Sequence, residues 1–201
     1  MTVDARGSNG GPRRRDAGAT REAILSSAVE AFTRVGYDAA GVREIAGRAG
    51  VTAMLVNRYF GSKEQLFAEA VDRSFASYRF AGDDRNDRSE QMAATLAART
   101  APDADELDPF LLILRSAANP RAAEIIRAGI QKHLGRDLSD MLAGADAAAR
   151  AELLLSLIAG VWLMRRVVAS PALTGIGSTT LAPRLQDLVR VLVESPPAAS
   201  R

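Results

Sequence analysis

The stretch IAGRAGVTAMLVNRYFGSKEQL, which runs from Ile45 to Leu66, decides the fold. It holds two short segments of helical periodicity on either side of Gly50, a residue that adopts left-handed backbone without a Cβ penalty. Ala46 is small enough for a second helix to cross close over the first, and the Thr52 hydroxyl is placed to cap that second helix. Two short helices joined by a tight turn are typical of a helix-turn-helix, whose second helix enters the major groove of DNA.

The outward face of the second helix, predicted over residues 53–59, carries side chains that suit base recognition. Asn57 can read adenine and Arg58 can read guanine through paired hydrogen bonds, each worth about 1–3 kcal/mol of discrimination. Ala53 and Met54 share this face and can touch a thymine methyl group. A solvated helix face is the alternative interpretation of all four residues.

Lys63 is one of only two lysines in the chain and begins the next helix, after the stop-and-cap pair Gly61 and Ser62. A lysine at a helix N-terminus opposes the helix dipole, and a bound anion would relieve that conflict. The hydroxyl of Tyr59 also suits a phosphate oxygen. We therefore predict phosphate contacts from Lys63 and Tyr59, although Tyr59 could instead be half-buried against the first helix.

The composition favours a soluble helical protein. The 201 residues are 47% hydrophobic and only 5% aromatic, and alanine and leucine dominate the apolar set, which favours helix over strand. There is no cysteine, so disulfides and thiolate chemistry are excluded, and the cytoplasm is the expected compartment. The N-terminus has no apolar segment of a signal peptide, and the apolar run 153–164 is too short to span a bilayer, so we expect no membrane partner.

The charges are distributed unevenly along the chain. Up to Lys63 there are ten Arg and Lys residues against six Asp and Glu, a net charge of +4. The remainder has sixteen against eighteen, a net charge of −2. This asymmetry indicates an anionic partner for the front third, and a solvated basic face is an equal alternative. The run Arg13 to Arg15 could follow DNA or only improve solubility.

Periodicity and breakers predict an all-α protein with a small N-terminal helix-turn-helix domain and a larger helical C-terminal domain. We expect a disordered basic arm over 1–18, a DNA-binding domain over 19–65, a helical ligand-binding and dimerisation domain over 66–195 and a disordered tail over 196–201. The first helix is expected from Thr20 to a break at Gly36. The other helices are expected at 42–48, 53–59, from 63 to about 75, 90–99, 106–117, 121–143, 147–169 and 179–193, with an acidic run capping the one at 106.

The run from Thr20 to Val71 resembles the N-terminal domain of the TetR/AcrR family of one-component transcriptional regulators. The resemblance rests on the AxxAGV turn, the Tyr-Phe pair and the Ser-Lys-Glu-x-Leu start of the fourth helix. It implies a homodimer that binds a roughly palindromic double-stranded operator, with a small-molecule pocket and the dimer interface in the C-terminal domain. The DNA-facing positions that it implies are Arg43, Thr52, Asn57, Arg58, Tyr59 and Lys63. Arg43 could instead pair with Glu44 or Asp38.

Three positions depart from the family's usual pattern. Met54 stands where many members have glycine, and Asn57 stands where an aromatic residue is common. Ala40 and Gly41 replace the Thr or Ser that often opens the second helix and touches phosphate.

The apolar helix predicted at 147–169 is hydrophobic almost all round, which indicates more neighbours than one small chain usually provides. With the last helix it predicts a four-helix interface between two copies, and the alternative is ordinary core. The predicted interface residues are Leu154, Leu157, Val161, Val168, Leu185, Leu188 and Leu192. On this arrangement Trp162 faces the interior of its own domain.

A ligand pocket in the C-terminal domain is expected to be mostly apolar with a few orienting polar groups. The candidates come from different helices, and core packing is the alternative for each: Phe75, Tyr78, Phe110, Leu114, Arg127, His133, Trp162 and Arg166. His133 has no neighbours in sequence with metal-ligand or catalytic spacing, so we expect no metal, no cofactor and no enzyme activity.

The sequence as a whole predicts a ligand-responsive DNA-binding regulator, more specifically a repressor that a small molecule releases from DNA. Two alternatives remain open at this stage. One is an activator or a ligand-independent DNA-binding protein, and the other is an enzyme or carrier built on the C-terminal domain.

Overall fold

The computed structural model describes residues 11–76, 88–104, 108, 110–133, 142, 144 and 146–194, with the backbone alone described for 11–16. Over these residues the chain forms helices and connections and contains no strand, which confirms the predicted all-α class. The helices are α1 (Gly11–Ala39), α2 (Val42–Arg48), α3 (Ala53–Phe60), α4 (Lys63–Ala76), α5 (Arg88–Arg99), α6 (Phe110–Ser116), α7 (Pro120–His133), α8 (Ala147–Trp162), α9 (Pro171–Thr174) and α10 (Ser178–Glu194).

Helix α1 begins earlier than the sequence predicts. Its backbone is helical from Gly11, so the prediction of a disordered arm through residue 18 is wrong for residues 11–18. The three arginines of this segment are strong helix formers, and Pro12 is tolerated because it lies in the first turn. The basic run Arg13 to Arg15 lies in this first part of α1, whereas residues 1–10 and 195–201 lie outside the described residues.

The predicted end of the first helix is marked by a kink within α1. Gly36 has a φ of +76°, a left-handed value that only glycine adopts without strain. The apolar stripe before this kink is buried, including Ile24, Ala28 and Phe32. Helix α2 packs against it, and the Ser27 hydroxyl donates a hydrogen bond of 2.9 Å to the backbone oxygen of Ile45.

The turn between α2 and α3 has the predicted geometry. Gly50 has a φ of +70°, and the backbone N–H of Val51 donates to the oxygen of Ala46 at 2.9 Å. Thr52 occupies the N-cap position, but its hydroxyl makes no capping hydrogen bond, so that prediction is wrong. Its carbonyl accepts the first backbone bonds of α3 instead, from Leu55 at 3.0 Å and from Val56 at 3.3 Å.

Ser62 caps helix α4 as predicted, because the backbone N–H of Gln65 donates to its hydroxyl at 3.1 Å. Helix α4 packs against α1 and then passes into the larger domain, where it packs against α7. Gly129 of α7 allows the close approach, since a Cβ there would stand 2.8 Å from Val71 and 3.0 Å from Phe75. The connection over residues 77–87 lies outside the described residues.

In the larger domain, α5 packs against α10 and α6 packs against α1. Asp108 is buried before α6 and accepts a 2.9 Å hydrogen bond from the backbone N–H of Phe110, and it forms an ion pair with Arg99 at 2.7 Å. This acidic residue therefore caps α6 as predicted. The parts of the predicted helices at 106–117 and 121–143 that fall on 105–107, 109, 134–141 and 143 lie outside the described residues.

Helix α8 continues through a π-helical segment, Leu163–Val167, and the short helix α9 that follows was not predicted. The stretch Ala147–Val167 has 21 residues and could cross a membrane by length and composition alone, contrary to the expectation from the shorter apolar run. Arg150 and Arg165 lie within it and are buried. Both arginines donate hydrogen bonds to protein carbonyls, which anchors one side of this helix in the protein.

Candidate nucleic-acid interface and regulatory sites

Helix α3 has one buried face and one exposed face. Val56 and Phe60 are 2% and 4% exposed and hold α3 in the small N-terminal core. Met54 is 81% exposed, and Asn57 and Arg58 are also exposed. Packing against α1, α2 and α4 fixes this helix, so its polar face is presented by a supported element.

Arg58 and Arg43 make no hydrogen bond or ion pair with the part of the chain that the structure describes. The alternative that Arg43 pairs with Glu44 is not observed, because Glu44 is held by Arg48 at 3.2 Å. Asp38 accepts a hydrogen bond of 2.6 Å from Asn119 instead. Two cationic side chains of the helix-turn-helix are thus exposed and unpaired within these residues.

The remaining predicted DNA-contacting residues of the helix-turn-helix differ in their exposure. Thr52 is exposed and its hydroxyl is not used in capping. Ala53 and Tyr59 are half-buried and pack against the core, so for Tyr59 the structure has the half-buried position weighed as the alternative. Sequence periodicity places Ala53 outward, but its side chain packs partly against the core.

Lys63 is half-buried at the start of α4. Its Nζ lies 4.7 Å from the centre of the Tyr37 ring and donates a 3.3 Å hydrogen bond to the backbone oxygen of Asp38. Burial lowers the pKa of the Lys63 ammonium from its ordinary value, and the charge of Asp38 opposes that shift. The nearby negative charge therefore does not fully offset the cost of burying the Lys63 ammonium, and the positive end of the helix dipole adds to that cost.

The helix-turn-helix is joined to the larger domain at the end of α1. The Arg115 guanidinium donates to the carbonyl oxygens of Thr33 and Arg34, at 2.5 and 3.1 Å. The backbone N–H of Tyr37 donates to the Ser116 hydroxyl at 3.0 Å. Sequence reasoning missed Arg115, because its acceptors are backbone carbonyls more than 80 positions away in the chain.

Phe110 and Trp162 are two predicted pocket residues that the structure places in direct contact in the larger domain. Their ring centres are 5.4 Å apart, and Trp162 is fully buried, facing its own domain's interior as predicted. The indole N–H of Trp162 has no acceptor in the described structure. A buried unpaired donor is uncommon, and it would be satisfied by an acceptor on a ligand.

Phe75 and His133 form a second pair, with stacked rings whose centres are 6.0 Å apart. The Nε2 atom of His133 lies 2.9 Å from Asp72, which also accepts a 2.6 Å hydrogen bond from Lys132. Burial alone would raise the pKa of Asp72, but the hydrogen bonds and charges of Lys132 and His133 hold it below its ordinary value. This cluster ties α4 to α7.

The other predicted pocket residues are dispersed. Leu114 is half-buried, and Arg166 donates to the carbonyl oxygens of Ala101 and Ala104, at 2.5 and 3.2 Å. Arg127 is exposed, because the buried face of α7 is formed by residues 122, 126 and 129, so the prediction that it lines an interior pocket is wrong. Tyr78 lies outside the described residues.

The predicted dimer residues divide between core and surface. The prediction is wrong for Leu154 and Leu185, which are 0% and 4% exposed within a single chain and have no area left to bury. Leu157, Val161 and Leu192 are half-buried, whereas Val168 and Leu188 are exposed. Sequence reasoning missed the exposed apolar residues Leu153 and Met164, because a helix that is apolar all round does not reveal its outer face, and it also missed Val191 on α10.

These features define the helix-turn-helix class of proteins, with a larger helical domain attached. The family model described as bacterial regulatory proteins, tetR family, matches residues 24–70. The model described as tetracyclin repressor-like, C-terminal domain, matches residues 86–193, which is more than half of the chain. The chain therefore belongs to the TetR family of bacterial regulatory proteins.

Individual relatives agree with this assignment. The chain is 34% identical over 68 residues to the HTH-type transcriptional repressor NicS of Pseudomonas putida, a match that covers 34% of this chain and 32% of that repressor's length. A putative TetR-family transcriptional regulator from Rhodococcus sp. has a similar fold, with a TM-score of 0.68, 17% identity and coverage of 88% of this chain and 99% of the other. The multidrug binding protein EbrR, solved with ethidium, gives a TM-score of 0.63 at 17% identity, covering 87% of this chain and 98% of the other.

Proposed function

We propose that the protein is a homodimeric transcriptional repressor that binds double-stranded operator DNA and is released by a small molecule. The observation that carries this proposal is the exposed polar face of α3, where Asn57 and Arg58 stand opposite a buried apolar face. The resemblance to the repressor NicS covers 68 residues and supports the choice of repression over activation.

In the proposed complex α3 lies in the major groove. Asn57 and Arg58 read base edges, since amide and guanidinium groups match the hydrogen-bonding patterns of adenine and guanine. Met54 and Ala53 lie on the same helix and supply apolar contact to a thymine methyl group. These base contacts determine the operator sequence, and phosphate contacts determine the position of the protein on it.

The phosphate contacts come from the edges of the helix-turn-helix. Arg43 has no partner among the described residues, and the free hydroxyl of Thr52 can donate to a phosphate oxygen. The Lys63 ammonium can leave its single backbone acceptor for a phosphate, which would restore the stability that burial of its charge removes. The Tyr59 hydroxyl is the fourth candidate.

A second copy of the chain covers the exposed apolar face of α8 and α10 in this proposal. Leu153 is exposed on α8, Met164 and Val168 are exposed in and just after its π-helical continuation, and Leu188 is exposed on α10, which packs beside α8. Gly160 lies on the same side of α8 as Leu153 and has no atom near the position of an added Cβ, so a helix of the partner can approach closely. Two linked recognition helices then engage two half-sites of a palindromic operator.

The release mechanism uses the rigid connections between the domains. A ligand next to Phe110 and Trp162, where the indole N–H has no acceptor, would shift α6. Helix α6 carries Arg115, whose guanidinium is bonded to the end of α1, so movement of α6 is passed to the helix-turn-helix. The bound state then favours a spacing of the two recognition helices that no longer matches the operator. The mechanism requires no cofactor, and operator DNA places the protein in the cytoplasm.

The test is a gel-shift titration on an operator selected from a random DNA library with the wild-type protein. Arg58→Ala should weaken binding to this operator by about 1–3 kcal/mol and relax the preference at one base position. Arg127→Ala, on the exposed side of α7, serves as the control and should leave binding unchanged. The proposal fails if no sequence is enriched, or if Arg58→Ala binds the operator as wild type does.

A further inference from the structure

A cleft of about 660 Å³ lies where the helix-turn-helix meets the larger domain. One wall is formed by α1 and α2, and the other by α6 and the segment that follows α8. The cleft is separate from the Phe110 and Trp162 pair and from the outer face of α3. Its volume is in the range of ordinary small-molecule sites.

The charged side chains of the cleft are strongly unbalanced. Among the described residues that line it are five arginines and one glutamate, a surplus of four positive charges within that set. Glu30, next to the cleft, pairs with two of the arginines, which still leaves a surplus of three. The lining charged residues are Arg34, Glu44, Arg48, Arg115, Arg165 and Arg166.

Arg165 is the most informative of these residues because it is only 2% exposed. Its guanidinium donates to the carbonyl oxygens of Ala97 and Ile176 at 2.9 and 3.0 Å, to that of Leu173 at 3.1 Å, and to the Thr100 hydroxyl at 2.9 Å. All of these acceptors are neutral. Burial lowers the pKa of Arg165 from its ordinary value, and the adjacent charge of Arg166 lowers it further. A buried charge without an opposite charge is costly, and an anion in the cleft would offset that cost.

The backbone of this wall is also unusual. Arg165 and Arg166 lie in the π-helical segment Leu163–Val167. π-Helices are rare in proteins, and those that occur are often found at functional sites. Ala169 follows with a φ of +53°, a left-handed value that is unfavourable for a non-glycine residue. Two costly backbone features therefore coincide with the two arginines at one wall of the cleft.

We propose that this cleft binds a small organic anion, one with a carboxylate or phosphate group on an apolar body. Arg34 and Arg166 supply charge-assisted hydrogen bonds to the anionic group, which guanidinium forks match well, and the buried Arg165 contributes its positive charge. Val35 and Leu111 supply apolar surface for the rest of the molecule. Glu44 on α2 repels the anionic group, which favours a position between Arg34 of α1 and Arg166.

An anion in this position bridges the two domains. It would contact Arg34 on α1 and Arg166 after α8, and so fix the orientation of the helix-turn-helix relative to the larger domain. The regulatory part of this inference rests on the proposed DNA-binding function. The binding part does not, and can be measured in the absence of DNA.

The experiment is isothermal titration calorimetry at low ionic strength with phthalate, inorganic phosphate and phthalamide as probes. Phthalate carries two carboxylates on an apolar ring, and phthalamide has the same shape without charge. Wild-type protein should bind phthalate saturably and more tightly than phosphate or phthalamide. Arg34→Gln and Arg166→Gln should each weaken phthalate binding by about tenfold, the factor expected for one charge-assisted hydrogen bond.

Arg127→Gln, which removes a positive charge from the exposed side of α7, should leave phthalate affinity unchanged. Arg34 is exposed and half of a surface ion pair, so its variant tests the cleft even if Arg166→Gln is unstable. The inference is overturned if neither phthalate nor phosphate binds saturably, if phthalamide binds as tightly as phthalate, or if Arg127→Gln is as damaging as Arg34→Gln.

The same proteins are then titrated on selected operator DNA, with and without phthalate. Operator binding by wild type without any anion binding overturns only the cleft inference. Anion binding without any enriched DNA sequence overturns only the proposed function. If Arg34→Gln loses operator affinity but keeps its phthalate affinity, the cleft contacts DNA phosphates and the inference of a small-anion site is overturned.

Discussion

The carbonyl oxygen of Arg115 lies 2.5 Å from the position that a Cβ on Gly36 would occupy. The two residues belong to different domains, Gly36 to the kink of α1 and Arg115 to α6. The Arg115 side chain also reaches back to the carbonyls of Thr33 and Arg34. The last turns of these two helices are thus in direct contact, and this contact is the connection through which the larger domain can act on the helix-turn-helix.

Gly36→Ala should destabilise the folded protein. The new methyl group meets a backbone oxygen that cannot rotate away, and the φ of +76° is unfavourable for alanine. The two effects together should cost about 2–4 kcal/mol of the free energy of unfolding. Urea denaturation followed by circular dichroism would measure the loss.

Gly47→Ala is the matched control for this change. Gly47 lies within α2 with no atom within 4 Å of an added Cβ, so alanine there should raise stability by about 0.5–1 kcal/mol. Equal stability of Gly36→Ala and wild type would show that the contact between the two helix ends is loose in solution.

The helix-turn-helix could be predicted from the sequence because the residues that determine it are close together in the chain. Gly50 must adopt a left-handed backbone, Ala46 must be small, and Ser62 must cap the next helix, and each requirement is met by a residue within a few positions. Thr52 shows the limit of this reasoning. Its type and position suit a cap, but the first N–H groups of α3 bond to its carbonyl rather than to its hydroxyl.

The sequence did not allow us to predict which face of α8 is exposed. Leu153 and Leu154 are identical residue types side by side, yet one is 56% exposed and the other is fully buried. Only packing against neighbouring helices distinguishes them. The arginine cleft could not be predicted either, because its charged residues come from four separate parts of the chain and the π-helical turn before Ala169 has no sequence signature.

Lys63→Ala should weaken binding to every DNA sequence rather than to the operator alone. Removal of one phosphate contact should reduce the slope of log K against log salt by about 0.9. The only other lysine, Lys132 of α7, is paired with Asp72 of α4, so Lys132→Ala is the natural control and should leave the slope unchanged. If the slope for Lys63→Ala equals that of wild type, Lys63 makes no phosphate contact and interacts only with Tyr37 and the end of α1.

Asp72 should make stability depend on acid pH. Its folded pKa lies below the ordinary value of 3.8, so its contribution is fully present above that pH and is lost as the pH falls through the folded pKa. The Asp72 side chain is 41% exposed, so Asp72→Asn should cost only about 0.2–1 kcal/mol near neutral pH. Urea midpoints of wild type and variant should converge as the pH is lowered below 3.8. A difference that persists unchanged in acid would show that the loss comes from packing and not from charge.

Leu153→Glu and Leu188→Glu should separate the two chains of the proposed dimer. Both side chains are more than half exposed in a single chain, so a carboxylate at either position is hydrated in the monomer and costs it little stability. In the dimer the same carboxylate would be buried without a partner, which is costly. Light scattering should show a dimer for wild type at micromolar concentration and a monomer for each variant. The variants should also lose operator affinity, because two half-sites must be bound together.

Ala98→Glu, on the exposed side of α5, adds the same charge and should remain a dimer. A wild-type monomer at these concentrations, or dimers of both leucine variants, would place the interface elsewhere on the molecule.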